Sequence, residues 1–273
     1  MATVLSPSTF SSFQQCPFRW KNSVYEADPL NTIHGSLANA AAAAAVSGTK
    51  NSLKPWVRYY TDTINPLLQK KKQISEEIIK SGMTGIYAYI KQFVNEKFQI
   101  WQEQKIEYPL GDVWISGTPD IIVIYNEPNV EDGIVAEIID MKCWSSSWYD
   151  GPDIWRENAQ WYFYPRFIFK QRHPEILSLT KWRTKKPKIK FTFLVMDKRS
   201  WEVHPFSKVL DEAVVDTNVK HNVGEFMDIK SQNLDNKDYP AKQCRGCGMC
   251  PVADICPLMQ KDLTAKEIIN ELF

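Results

Sequence analysis

The chain has 273 residues, 44% of them apolar and 24% charged, which excludes global disorder and allows a substantial buried core. A formal charge of +1 excludes a general electrostatic pull toward nucleic acid, so any phosphate contacts must come from local clusters. The longest simple apolar tract, Ala40 to Val46, is too short to span a bilayer, and Met1-Ala-Thr-Val-Leu-Ser-Pro is neither basic nor greasy, so no membrane association and a cytoplasmic location are expected.

Ser6-Pro7 predicts a helix start, because the Ser6 hydroxyl can accept from free amides and Pro7 suits the first turn. Phe10 and Phe13 give that helix an apolar side, and Cys16-Pro17 lies near its end. An alanine-rich helix is predicted from about Ile33 to Val46, and amphipathic helical stretches from Trp56 to about Gln104, interrupted near Pro66 and Gly82. After Tyr108 the pattern changes to short β-branched runs, Val113-Trp-Ile, Ile121 to Tyr125 and Ile134 to Met141, separated by Gly, Asn and Pro. Asp153 to about Arg172 is predicted helical, and Lys188 to Met196 with Trp201 to His204 a strand pair around Asp197-Lys-Arg-Ser. Pro205 to Phe226 is predicted helical again, and Asn233 to Lys242 a polar loop. These elements make an α/β core with helical additions. The simplest division is a single domain over 1–273, with a mainly helical part at 1–105, a core at 106–230 and a cysteine-bearing segment at 240–260. Lys181-Trp-Arg-Thr-Lys-Lys-Pro-Lys-Ile-Lys190 supplies a local basic cluster, which fits a solvated loop and a DNA contact equally.

Asp140 and Lys142 are two apart on a predicted strand, so they leave the same face while Met141 points the other way. A hairpin through Asn126 to Gly133 would bring Asp120 beside Asp140. Adjacent carboxylates disfavour each other's charge unless a cation neutralises them, and hard oxygen ligands select Mg²⁺ or Mn²⁺. Such an ion can lower the pKa of a bound water, and with Lys142 can stabilise the charge that develops on a phosphodiester. Gln160 and Tyr164 are four apart on the following predicted helix, so an amide and a phenol can face the same site. Taken alone, Asp-x-Lys also fits a surface ion pair and Trp161 to Tyr164 an aromatic core segment.

The order Pro119-Asp120, Asp140-Met-Lys142 and Gln160-Trp-Tyr-Phe-Tyr164 resembles the PD-(D/E)xK nuclease superfamily in its RecB-like branch, with that branch's Q-x-x-x-Y motif. Ser6-Pro-Ser8 leading to Cys16-Pro17, together with the C-terminal cysteines, resembles the iron–sulfur members, the CRISPR-associated RecB-like exonucleases and the AddB nuclease domain. The resemblance implies a restriction-endonuclease-like fold, a central mixed sheet flanked by helices, and hydrolysis of single-stranded DNA or DNA ends. By the same resemblance Asp120 and Asp140 are metal ligands, Lys142 is the catalytic lysine, and Gln160 and Tyr164 orient the substrate strand. One position departs from the family: Gly35-Ser-Leu-Ala-Asn39 carries asparagine where the family usually has a metal-ligating histidine. An amide carbonyl can still ligate Mg²⁺ or Mn²⁺, and His34 is not in register to replace it.

Cys247-Gly-Met-Cys250 and Cys256 give C-x₂-C-x₅-C, one thiolate short of four. Four thiolates suit a 4Fe–4S cluster or a structural zinc, and spacing does not choose between them. The resemblance implies the cluster, with Cys16 as the distant ligand; Cys244 would instead complete a fully local set. Cys143 reads as a small buried residue. The competing expectation is a non-catalytic DNA-binding or assembly protein that retains the fold, for which Asn39 is the main support. No G-x-x-x-x-G-K-[ST] motif is present, so any unwinding would fall to a helicase or to a recombination or replication partner.

Overall fold

The computed structural model describes residues 3–22, 29–68, 73–129, 133–145, 153–156, 158–171, 187–243, 247 and 250–259. The chain opens with a short strand, β1 (Thr3–Leu5), and then the expected capped helix, α1 (Pro7–Gln15), where Ser6 Oγ accepts the Thr9 N–H at 3.1 Å. Helices α2 (Pro17–Asn22), α3 (Pro29–Ser47), α4 (Leu53–Tyr59) and α5 (Glu76–Lys91) follow. Next come β2 (Phe98–Gln102), β3 (Ile106–Leu110), β4 (Val113–Gly117), β5 (Ile121–Asn129) and β6 (Ile134–Trp144). The last elements are α6 (Asp153–Arg156), α7 (Gln160–Gln171), β7 (Lys188–Asp197), β8 (Val203–Asp211) and α8 (Glu212–Ser231).

A five-stranded mixed sheet in the order β2-β5-β6-β7-β8 forms the centre, antiparallel except for the β6–β7 pair. A smaller sheet, β1-β4-β3, lies beside it. Both faces of the large sheet are covered, and strand periodicity divides its apolar residues between two cores. Ile122, Ile124, Ile138, Phe191, Phe193 and Val195 join a core with α1, α7, α8 and the small sheet. Ile121, Val123, Ile139, Leu194 and Met196 join the other core, with α3, α4 and α5. This is the α/β arrangement expected, with helices on both sides of a central mixed sheet. No helix among the described residues is long and apolar enough to cross a membrane.

Three segments differ from the sequence reading. Phe98–Gln102 is an edge strand paired with β5 rather than the end of a helix. The segment from Pro205 begins as strand, because β8 runs to Asp211 and pairs along β7; only then does α8 start, capped by Asp211 Oδ1 accepting the Val214 N–H. The expected helix from Asp153 is divided into α6 and α7. Most of the basic cluster, 181–186, lies outside the described residues, as does Cys244.

Gly82 does not interrupt a helix as expected; it lies within α5 and makes room for a turn. Asp197 Oδ1 accepts the Arg199 and Ser200 N–H groups, and Trp201 follows with φ 59°, its side chain buried. A Cβ at residue 82 would lie 2.7 Å from the Trp201 carbonyl oxygen. Glycine to alanine inside a helix ordinarily stabilises by about 1 kcal/mol. Here the sign reverses: Gly82→Ala is expected to lower the unfolding free energy by about 1–3 kcal/mol, measured by urea denaturation.

Candidate functional site

β5 begins at Ile121, opposite Ile139, which leaves the Met141 N–H on β6 just beyond the end of its partner strand. Asp120 fills that gap, its Oδ2 accepting the Met141 N–H at 2.6 Å. Asp140, only 4% exposed, pairs with Lys142 Nζ at 2.6 Å, so the predicted same-face carboxylate and ammonium are in contact. The hairpin thus brings Asp120, Asp140 and Lys142 together at one end of the sheet.

Helices reach this point from both sides. Asn39, on α3, and Asp120 line the same cavity of about 330 Å³, together with Trp56, Gln102, Glu103 and Met141. Asn39 Nδ2 donates to Glu103 Oε1 at 3.2 Å, and the Glu103 N–H donates to the Asp120 carbonyl at 3.0 Å. Sequence reasoning missed Glu103. It follows β2 with φ 45°, and its proximity to Asp120 depends on the β2–β5 pairing, which no local motif announces. On the opposite face, Tyr164 of α7 packs against Gly117, where a Cβ would approach its Cε1 to 2.8 Å. Gln160, one turn earlier, is buried, and its Oε1 has no hydrogen-bond partner among the described residues. A buried amide oxygen left unpaired is a natural point for a ligand contact.

The electrostatics follow from burial. Desolvation, then the neighbouring Asp140, pushes the Asp120 carboxyl up to about 7; Lys142 and the Met141 N–H pull the other way, and Glu103 adds to the rise. Burial opposes the charge on Lys142, but Asp140 and Asp120 outweigh it and raise its pKa. Burial, with Asp140 and Asp120 nearby, holds Tyr164 far above its ordinary value, so its phenol remains an O–H donor. Two carboxyl groups therefore face one ammonium, with Glu103 adding to the negative field at Asp120, and hard oxygen donors of this kind suit a divalent cation. Among the described residues, no three His, Cys, Asp or Glu side chains converge as they stand into a group that could hold a metal ion.

Other candidates have structural roles. His34 is buried against Tyr60, its Nε2 3.0 Å from the Tyr60 hydroxyl. Glu137 is also buried on β6, but it belongs to a separate network, accepting from Thr192 Oγ1 at 2.6 Å and Tyr89 Oη at 3.1 Å, with Lys190 Nζ 3.2 Å away. Burial pushes the Cys143 thiol up to about 12, which makes it a poor thiolate donor.

Cys16 and Cys256 are buried in the apolar core that α1 shares with α7, with Cys250 packed against it. Cys16 Sγ accepts the backbone N–H groups of Arg19 and Lys242, each at 3.5 Å. The Cys250 N–H donates to the Cys247 carbonyl at 3.2 Å. The fold thus brings the N-terminal cysteine and the C-terminal cysteine segment into one region, with two backbone donors directed at one sulfur. That donor chemistry fits a thiolate-bound metal group.

The central mixed sheet thus carries two acids and a lysine at the junction of adjoining strands. The profile of the PD-(D/E)XK nuclease superfamily matches residues 4–257, and the chain belongs to that superfamily. No curated protein matches it. Among solved structures, a candidate exonuclease from Eubacterium rectale is similar at 14% identity and a TM-score of 0.44, with 90% of this chain and 86% of that chain covered. The protein SSO0001 is similar at 16% identity and a TM-score of 0.30, over 74% of this chain and 80% of that one.

The raised Asp120 pKa sets a pH dependence. Folded Asp120 holds its proton more tightly than in the unfolded chain, where its pKa is about 4. Its contribution to stability is complete below about pH 4 and is lost as pH rises through about 7. In EDTA, the unfolding free energy of the wild type minus that of Asp120→Asn is expected to fall between pH 5 and 7, by at most about 1.4 kcal/mol per unit. Urea titrations at intervals across that range check it.

Proposed function

We propose that the protein is a divalent-metal-dependent deoxyribonuclease of the RecB-like type, an exonuclease acting on single-stranded DNA or DNA ends. The observation that carries this reading is the Asp120–Asp140–Lys142 cluster at the β5–β6 junction, with Asp140 buried and Asp120 open to a cavity. Asp120 and Asp140 would hold Mg²⁺ or Mn²⁺, with Glu103 or the Asn39 carbonyl as further oxygen donors from the cavity wall. Held there, such an ion would supply an activated water and neutralise charge on the phosphate. Lys142 remains protonated beside the acids and stabilises the developing negative charge. Tyr164 donates its phenolic O–H, and Gln160 offers its unpaired amide oxygen, to position the strand from the α7 side.

The test is end-labelled single-stranded DNA with Mn²⁺ under reducing, anaerobic conditions. The wild type is expected to show metal-dependent cleavage that starts at an end, Asp140→Ala to lose it by about 10²–10³-fold or more, and Glu103→Gln to need more Mn²⁺ for half-activity. Asn39, the amide at the family's histidine position, favours a second reading, a DNA-binding protein without catalysis. Binding without cleavage by the wild type would select that reading.

The cysteine region supports a 4Fe–4S cluster held by Cys16, Cys247, Cys250 and Cys256, with a structural rather than a redox role. Protein purified anaerobically is expected to be brown, and Cys16→Ser to lose both the colour and thermal stability. A colourless wild type with stoichiometric zinc would replace the cluster by a zinc clasp, and a Cys16→Ser variant that keeps its metal would point to Cys244.

A further inference from the structure

Helix α4 presents an outer face that packing does not explain. Leu53 and Val57 form its buried stripe, continued by Tyr60 and Ile64 in the π-helical turn Tyr60–Ile64 that follows, and Tyr60 is anchored by ring contacts with His34 and Trp201. An amphipathic helix seated this way should carry polar side chains outward. Instead Trp56 is 40% exposed and Tyr59 47% exposed, and these are two of the three exposed aromatic residues among those described. They are three residues apart and so adjacent on the helix surface. Exposed Lys54 and Arg58, one turn apart, flank them.

The location is as informative as the composition. Trp56 lines the same cavity as Asp120 and Asn39. Tyr59, with Lys54, Arg58, Pro55, Asp62 and Thr63, lines a neighbouring groove of about 470 Å³. One short helix therefore connects the carboxylate cavity to a second depression with two cations and one acid in its wall. Exposed rings interleaved with cations suit an unpaired strand, because every base has a face to stack and every phosphate a charge to meet. Paired bases keep their faces inside the duplex and gain nothing from such rings.

We infer that the outer face of α4 is a stacking platform that guides single-stranded DNA into the carboxylate cavity, with Trp56 under the base nearest the acids, Tyr59 under a base further out, and Lys54 and Arg58 on the phosphates. This rests on the nuclease reading for its direction, but binding can be measured without catalysis. The probes are a fluorescein-labelled oligothymidylate of about 20 nucleotides and a hairpin duplex of equal length, titrated in EDTA and read by anisotropy.

Trp56→Ala/Tyr59→Ala is expected to weaken oligothymidylate binding about 25-fold or more, at about 5-fold or more per ring, and duplex binding less than about 2-fold. Trp56→Phe/Tyr59→Phe should restore most of the loss. Lys54→Gln/Arg58→Gln should lower the slope of log affinity against log salt by about 1.4, roughly 0.7 for each phosphate contact removed. Wild-type oligothymidylate affinity in the double alanine variant would overturn the platform, as would an equal loss on both probes accompanied by a lower unfolding midpoint. A wild type that binds oligothymidylate through these residues in EDTA yet leaves it intact with Mn²⁺ would remove the nuclease reading and keep the platform.

Discussion

Two carboxyl groups placed at the end of a sheet that is buried on both faces repel each other and lose hydration, and the surrounding structure is organised around that conflict. Part of the compensation is local. The Met141 N–H would be unpaired where β5 ends, and Asp120 satisfies it; the Lys142 ammonium offsets the charge of Asp140. The remaining excess is negative, because Glu103 lines the same cavity as Asp120 and adds to the rise of its pKa. A site held in this state has an unmet demand for positive charge. It is also built on strands whose register is fixed by cores on both sides, so the acids cannot easily move apart to relieve it.

The two-sided burial also determines which helices can serve the site. Residues on alternate positions of one strand belong to different cores, so a group at the strand end is reached from α3 on one face and α7 on the other. Gly117 permits the closer approach on the α7 side, since any side chain there would displace the Tyr164 ring. On the α3 side, Asn39 holds Glu103 by a hydrogen bond, and Glu103 is fixed from below by its N–H to the Asp120 carbonyl. Asn39 thus sits beside a carboxylate, and both present oxygen atoms to the cavity that Asp120 lines.

How much of this could be read from sequence depended on where each element lies. Asp120, Asp140 and Lys142 were legible because a hairpin and a period of two place them, and both are local properties. Ser6 was legible because a cap is a local hydrogen bond. The two misread strands, β2 and β8, are the edges of the large sheet. An edge strand is covered less completely, so its apolar pattern is weaker; Pro205 is tolerated in β8 because an edge strand need not donate from every residue. Gly82 looked like a breaker because its reason, the Trp201 turn, is more than a hundred residues away. Glu103 carried no signal because its position depends on pairing with β5 and on a bond to α3.

The cysteine region and the carboxylate site are connected through α1. Gln14 accepts from Tyr162 Oη at 2.7 Å and donates to Asn222 at 2.6 Å, which ties α1 to α7 and α8. Ser11 Oγ accepts the Ala159 N–H at 2.8 Å, immediately before Gln160, so the first turn of α7 is fixed by a residue of α1. Cys16 ends that helix, and the Phe18 N–H bonds the Pro240 carbonyl at 3.0 Å as the C-terminal segment passes over it. Phe10, Phe13, Trp20 and Phe226 pack ring against ring in the same place. A metal clasp at Cys16 would therefore close a very long loop at a point already held by apolar contacts, and its constraint would reach Gln160 and Tyr164 through α1 rather than the acids through the sheet. Loosening the Cys16 region should accordingly disturb the first turn of α7 before it disturbs the register of β5 and β6, which the two cores maintain.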